Sequence, residues 1–275
     1  MQAWPARSVE RMRLAAIGIL SGYWRTWVGA GAVLLALAAW QGIVVAGLVP
    51  STLVPPPTDV WGAFINILHH GYRDTTLAED MGATVGRALA GFGLATIFGV
   101  PFGVWMGIDQ RVASSFGWIV QFMRPLPPLS FLVLLILWLG LGEASKIALL
   151  TMTAFPIIVS ASQAAVRGVP GLWIAAARSL GASPRQVFSR VVLPASLPMI
   201  FTGLSIALAA TFSTVVAAEL LAANDGLGWM VLSASKFLRN DVIMVGIILL
   251  GLIGMVLSRL LLFLDSRVVH WRGRT

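Results

Sequence analysis

The feature that most constrains this 275-residue sequence is a set of six stretches that contain no Asp, Glu, Lys or Arg. A helix rises about 1.5 Å per residue, so about 20 residues cross the ~30 Å hydrocarbon core of a bilayer. Each stretch is long enough to do so, or nearly so. We therefore predict an all-α membrane protein with six transmembrane helices. The stretches are 26–58, 88–108, 125–142, 147–166, 191–218 and 242–258.

These helices form a predicted transmembrane domain over residues 28–265, between a basic tail at 1–27 and a short tail at 266–275. The apolar segment 28–49 follows basic residues, but it is too long for the core of a signal peptide, which predicts an uncleaved anchor. With the N-terminus inside, fourteen of the 19 Arg and Lys residues fall on that side. Because cytoplasmic loops are enriched in Arg and Lys, both termini are predicted to be cytoplasmic.

The composition excludes several classes of function. Only 11% of residues are charged, against about 25% in soluble proteins, and the arginines lie between apolar runs rather than on one basic face, which argues against nucleic-acid binding. There is no cysteine and there are three histidines, too few to suggest a metal site. A membrane-embedded enzyme or an ion-coupled carrier would need catalytic or ionisable groups at membrane depth, and Glu219 is the only candidate acid.

Three prolines interrupt the third predicted helix in its cytoplasmic half. Pro125, Pro127 and Pro128 remove backbone donors, and free carbonyls at membrane depth are tolerated where they face protein or a water-filled cavity. The adjacent Arg124 would cost about 2.5–3.5 kcal/mol near a helix centre. It either reaches back to phosphates or headgroups, or it lines a pathway and meets an anion there.

Two further polar positions fall at predicted outer ends of helices. Glu219 is a candidate for an outer gate or a docking point, with an interface residue bonded to helix ends as the alternative. The segment 140–146 predicts a tight turn in which Glu143 and Lys146 form a surface pair.

The loop 171–203 has the most informative local pattern. Residues 172–180 predict a short helix, Gly181 permits the left-handed residue that ends it, and Ser183 with Pro184 and Gln186 predicts a capped second helix. Pro194 and Pro198 are then expected to bend the chain back into the membrane. Arginines surround exposed apolar residues here, which favours docking of a partner, with headgroup contact as the alternative.

This loop resembles the EAA loop of permease subunits from bacterial binding-protein-dependent ABC importers. The resemblance is carried by Ala176-Ala177, by Leu180-Gly181-Ala182-Ser183 and by the leucine before Pro194, and Ala175 stands where the motif has glutamate. The segments RPLPPL, ILWLGLGEASK and LVPPPTDVW are similar to the taurine, alkanesulfonate and nitrate branch. The C-terminal part is most similar to taurine permeases.

The resemblance implies a type I importer fold in the bacterial inner membrane and a chain that transports but is not itself an enzyme. The implied partners are a second copy, two ATPase subunits that bind ATP and Mg, a periplasmic substrate-binding protein and membrane lipid. The expected cargo is a small sulfonate, preferably taurine, with alkanesulfonate or nitrate as alternatives and an ion-coupled carrier as a remote one. The chain has no Gly-x-x-x-x-Gly-Lys phosphate loop, so no cofactor of its own is expected. The implied ATPase-coupling residues are Ala176, Ala177, Arg178, Leu180, Gly181, Ala182, Ser183, Arg185 and Pro194; the candidate pathway or gate residues are Arg124, Pro125, Pro127, Pro128 and Glu219.

Overall fold

The computed structural model describes Val28 and residues 31–271. The predicted tail 1–27 and the end of the C-terminal tail, 272–275, lie outside the described residues. The chain divides into two compact units, residues 1–65 and 66–275, and each is described by itself.

The described part of the first unit contains the apolar helix α1 (Gly31–Val45) and most of α2 (Pro57–His70). The described part of α1 is shorter than a full membrane span. Proline is well suited to the first position of α2, because its missing N–H would have no helical partner there. Trp61 and Phe64 pack on one face of α2 with ring centroids 5.5 Å apart.

Four long helices of the second unit are apolar enough to cross a membrane. They are α3 (Leu77–Ile108), α6 (Glu143–Arg167), α9 (Leu193–Ala222) and α11 (Asn240–Val268). α6 packs against both α3 and α9. Gly103 permits close approach of α3 to α6, since a Cβ there would lie 2.5 Å from the carbonyl oxygen of Val159.

A bent pair of helices forms either one broken fifth span or a re-entrant loop. α4 (Gln110–Met123) and the segment Pro128–Leu139, which is a 3₁₀ turn (Pro128–Phe131) followed by α5 (Leu132–Leu139), meet at an angle of 94°. The described residues therefore contain four helices long enough to span, this bent pair and the described part of α1. The all-helical membrane architecture is confirmed, whereas the orientation of the termini stays a prediction.

The remaining helices are short. α7 (Gly171–Ser179) and α8 (Pro184–Val187) form the loop after α6, and α10 (Leu227–Lys236) lies between α9 and α11. α8 continues through a π-helical turn, Phe188–Val192, into α9, so that 184–222 is one helix. The expected bends at Pro194 and Pro198 are therefore wrong. The wide π turn precedes Pro194 and spreads the backbone where its ring would otherwise clash with the preceding turn.

Candidate functional site

The loop between α6 and α9 has the local geometry that its sequence predicts. Gly181 has φ of 80°, and the N–H groups of Gly181 and Ala182 donate to the carbonyls of Arg178 at 2.9 Å and Ala177 at 3.1 Å, which closes the end of α7. Ser183 and Gln186 form a reciprocal capping box, with Ser183 N–H donating to Gln186 Oε1 at 2.8 Å. The two short helices are thus specified by contacts within the loop itself.

The surface of this loop is apolar and basic. Leu180 is 89% exposed, and Ala176, Arg178, Ser183 and Arg185 are also exposed. Ala177, Ala182 and Pro194 are half-buried. A shallow groove of about 450 Å³ lies beside α7 and is lined by Trp173, Ala176, Arg190, Val191, Pro194, Ala195 and Trp271. Among the predicted coupling residues, the structure brings Ala176 and Pro194 together in this groove.

At the opposite end of the long helices, Arg87 of α3 is the centre of a buried polar cluster. Its side chain is 3% exposed and donates two hydrogen bonds of 2.7 Å to Glu143, at the start of α6. It also donates to Glu219 Oε1 at 2.9 Å and to both the backbone oxygen and the carboxylate of Asp225. One guanidinium therefore joins α3, α6, α9 and the turn before α10.

Glu219 is completely buried within this cluster, near the end of α9. It accepts hydrogen bonds from Thr84 Oγ1 at 2.9 and 3.0 Å and from the N–H of Gly228 at 2.9 Å. Asp80 accepts from the N–H of Gly226 at 2.8 Å. The first N–H groups of α10 thus donate to side chains of α3 and α9. The positive end of the α10 helix dipole therefore faces carboxylates. We call Asp80, Thr84, Arg87, Glu143, Glu219 and Asp225 the Arg87 network.

The predicted surface pair at the start of α6 belongs to the same region. Lys146 Nζ donates to Glu143 Oε1 at 2.8 Å, so the pairing is confirmed. Its placement at the surface is wrong, because Lys146 is 4% exposed and Glu143 also binds Arg87. Sequence analysis did not identify Arg87 as a third partner, because Arg87 lies 56 residues away from Glu143 in the chain.

Arg124 follows the last turn of α4, at the break in the bent pair of helices. It is exposed, and within the described part of the chain no carboxylate lies within 4 Å of its guanidinium. Pro125 is exposed, Pro127 precedes the 3₁₀ turn and Pro128 is its first residue. The prolines therefore produce the sharp bend and leave the arginine at its corner.

Two cavities adjoin this corner. The α6–α9 cavity, of about 320 Å³, is lined by Met123, Arg124, Leu126, Pro128, Phe131, Met152, Thr153, Pro156, Ile157, Ala210, Ser213 and Thr214. The α4–α6 cavity, of about 560 Å³, is lined by Gly117, Val120, Gln121, Arg124, Pro125, Ser160 and Gln163. The structure thus brings Arg124 together with Pro128 and Pro125, whereas Pro127 and Glu219 are in neither lining.

Sequence reasoning identified Glu219 and Arg124 but not Arg87, Asp80 or Thr84. The available signal was an arginine at the edge of one apolar run and a glutamate at the edge of another, two charges that need partners in a membrane. In the described part of the chain, no group of three or more His, Asp or Glu residues is arranged to hold a metal ion. Three carboxylates of the Arg87 network, those of Glu143, Glu219 and Asp225, instead pair with Arg87, and Asp80 accepts a backbone N–H.

Comparison with known proteins indicates a membrane component of a transport system. The family described as "Binding-protein-dependent transport system inner membrane component" matches residues 99–270. The taurine transport system permease protein TauC of Escherichia coli strain K12 is 38% identical over 244 residues, which cover 88% of this chain and 89% of that protein. The aliphatic sulfonates transport permease protein SsuC of Bacillus subtilis strain 168 is 30% identical over 238 residues, or 86% and 84% of the two chains.

Among solved structures, an inward-facing conformation of the MetNI methionine ABC transporter is similar with a TM-score of 0.58 and 24% sequence identity. The likeness covers 68% of this chain and 92% of that chain. It shows that the helices are arranged in the type I importer permease fold.

Proposed function

The chain belongs to the family of binding-protein-dependent transport system inner membrane components and is a multi-pass membrane permease of an ABC importer, and from this premise we propose that its cargo is taurine. The observation that carries the proposal is the 38% identity to a taurine permease along 88% of this chain. Other alkanesulfonates are the second candidate, supported by the 30% identity to an aliphatic sulfonate permease.

Growth and uptake test the substrate. Deleting the gene in cells that lack a second taurine system should abolish growth on taurine as the only sulfur source and abolish uptake of radiolabelled taurine. Growth on sulfate is the control. If taurine supports undiminished growth and uptake while uptake of ethanesulfonate is lost, alkanesulfonate replaces taurine as the cargo.

We propose further that the energy comes from ATP hydrolysed by a separate ATPase subunit, on which the α7–α8 loop docks. The support is the loop itself: Leu172 and Leu180 are 78% and 89% exposed beside the exposed Arg178 and Arg185. An apolar patch with a basic rim is typical of a protein contact. The complete importer would contain two copies of this chain, two ATPases and a periplasmic binding protein.

The turn at Gly181 provides a test of coupling. Gly181→Val places a β-branched residue at φ of 80°, where L-residues are strained by about 1–2 kcal/mol, and should misdirect α7 and α8. We expect taurine uptake and substrate-stimulated ATP hydrolysis to fall at least tenfold while the chain still inserts into the membrane. Gly181→Asn is the matched control, because asparagine tolerates the left-handed region and should retain most activity. If the valine variant shows normal substrate-stimulated ATP hydrolysis, the loop does not couple ATP hydrolysis to transport.

For the pathway, we propose that cargo passes the corner formed by Arg124, Pro125, Pro127 and Pro128. The support is the 94° break, together with the two cavities that adjoin it. We place Glu219 at the outer closure, because the Arg87 network joins four segments at one end of the bundle. Two of its carboxylates are partly exposed, Glu143 at 55% and Asp225 at 45%, which supports a contact with the binding protein at that end.

A further inference from the structure

The depth of Arg124 follows from the helices beside it. Arg167, at the end of α6, donates to Gln110 Oε1 at 3.0 Å, so the start of α4 is level with the end of α6. α4 has 14 residues, about 21 Å along its axis, and its far end carries Arg124. Thr153 precedes Arg167 by a similar length of α6, and Arg124 and Thr153 line the same cavity. Arg124 therefore lies well away from that end of the bundle, and an arginine at such a depth among membrane-spanning helices marks a candidate functional site.

Arg124 lies at the junction of the two cavities. It is the one residue that the linings of the α6–α9 and α4–α6 cavities share. α6 contributes Thr153 and Pro156 to the first cavity and Ser160 and Gln163 to the second, at spacings of three and four residues that place them on one helix face. Three of these four residues are polar, so polar side chains continue from one cavity to the other, beside the guanidinium of Arg124, which has no carboxylate within 4 Å among the described residues.

The α6–α9 cavity also contains hydroxyl groups whose hydrogens are already committed. Each donates to the carbonyl of the residue four positions earlier, at 2.9 Å for Thr153, 3.1 Å for Ser213 and 2.9 Å for Thr214. A hydroxyl has one hydrogen and two acceptor lone pairs. These three groups can therefore accept a hydrogen bond from a ligand but cannot donate one without breaking the bond to the backbone.

The cavity lining thus contains one donor group, the guanidinium of Arg124, and three hydroxyl acceptors. We infer that it binds the cargo as a zwitterion, with the sulfonate on the guanidinium of Arg124 and the ammonium group on the hydroxyl oxygens of Thr153, Ser213 and Thr214. The inference rests on the proposed function and adds the residues that recognise its substrate. A guanidinium matches the three acceptor oxygens of a sulfonate, and an ammonium group supplies three donors. The volume of the α6–α9 cavity, about 320 Å³, suits a small molecule.

This arrangement separates taurine from its relatives. Ethanesulfonate has the anionic group but no ammonium, so it binds Arg124 and leaves the three acceptors unused. Nitrate also lacks a donor. A permease that carries these residues therefore contributes to selection inside the membrane, in addition to any selection made by the binding protein.

The absence of cysteine from the sequence makes a direct test available. Ala210→Cys introduces one thiol per copy of this chain into the lining of the α6–α9 cavity of the complete transporter in proteoliposomes, at a residue whose side chain makes none of the proposed contacts. A 2-sulfonatoethyl methanethiosulfonate reagent modifies it, forming a mixed disulfide and releasing methanesulfinate, and the rate is measured with and without millimolar taurine. Ser235→Cys is the control, since Ser235 is exposed on α10 and is in neither cavity lining.

We expect taurine to slow modification of the thiol at position 210 but not at position 235. Adding Arg124→Gln should weaken this protection by roughly tenfold in taurine concentration, because a hydrogen-bonded charge pair is lost, and Arg124→Lys should restore part of it. Adding Thr214→Val should weaken protection by taurine more than protection by ethanesulfonate, a difference that general distortion of the site does not produce. Transport of taurine by the unmodified protein is measured in the same preparation.

Three results would overturn the inference. If taurine is transported but does not slow modification at position 210, its binding site lies elsewhere. If Arg124→Gln does not change the protection by taurine, Arg124 does not bind the sulfonate. If Thr214→Val weakens protection by taurine and by ethanesulfonate equally, Thr214 does not contact the ammonium group. In each case the proposed function stands, whereas absence of taurine transport by the unmodified protein would overturn both.

Discussion

Two arginines, Arg87 in α3 and Arg124 at the end of α4, have opposite surroundings. Arg87 is 3% exposed and binds three carboxylates, from Glu143, Glu219 and Asp225. Arg124 is exposed beside two cavities, and the described residues place no carboxylate within 4 Å of it. A paired guanidinium holds helix ends together, and an unpaired one at a cavity is free to bind an anion. The comparison therefore separates an arginine that stabilises the fold from one that is available to substrate.

The largest effect on stability is expected for Arg87→Leu. It leaves Glu219, which is 0% exposed, without its cationic partner, and breaking such a buried pair costs about 3–5 kcal/mol. Thermal unfolding of the purified complex should show a clear decrease in melting temperature. Arg111→Leu, at an exposed position of α4, should change stability by no more than about 0.5 kcal/mol. An unchanged melting temperature for Arg87→Leu would mean that the network does not hold the bundle.

Glu219→Gln is expected to have an intermediate effect. The amide keeps the shape of the side chain, and Arg87 retains Glu143 and Asp225, so the loss is about 1–3 kcal/mol from weakened hydrogen bonds to Arg87 and Gly228. The double variant Arg87→Leu with Glu219→Gln should cost less than the sum of the single variants, because the unpaired charge is absent. Additive losses would show that the two residues do not interact energetically.

The smallest effect on stability is expected for Arg124→Gln. With no carboxylate within 4 Å among the described residues, its removal should change the free energy of unfolding by no more than about 0.5 kcal/mol. Taurine uptake, measured in the same preparation, should still fall by roughly tenfold if the guanidinium binds sulfonate. A loss of stability similar to that of Arg87→Leu would erase the distinction between the two arginines.

Local features of the chain were predictable from sequence. The charge-free stretches predicted the long helices, and Ser183, Pro184 and Gln186 predicted the start of α8 because capping contacts span only three residues. The bend expected at Pro194 is wrong, because the local sequence pattern did not indicate the π turn that precedes this proline. The roles of the coupling and pathway residues stay predictions, since the geometry shows where they lie but not what they bind.

By itself, the sequence determined that this is a helical membrane protein, that its loop 171–203 contains two capped helices, and that it resembles ABC importer permeases. Each of these conclusions depends on residues that are close together in the chain, or on a sequence pattern that can be identified without knowing any contact between distant residues. Only the tertiary structure decided that Arg87 meets Glu219, 132 residues away, and that Arg124 joins two cavities between α4, α6 and α9. The physical reason is that a charge in a membrane must find its partner in three dimensions, and helix packing determines which charges meet and which do not.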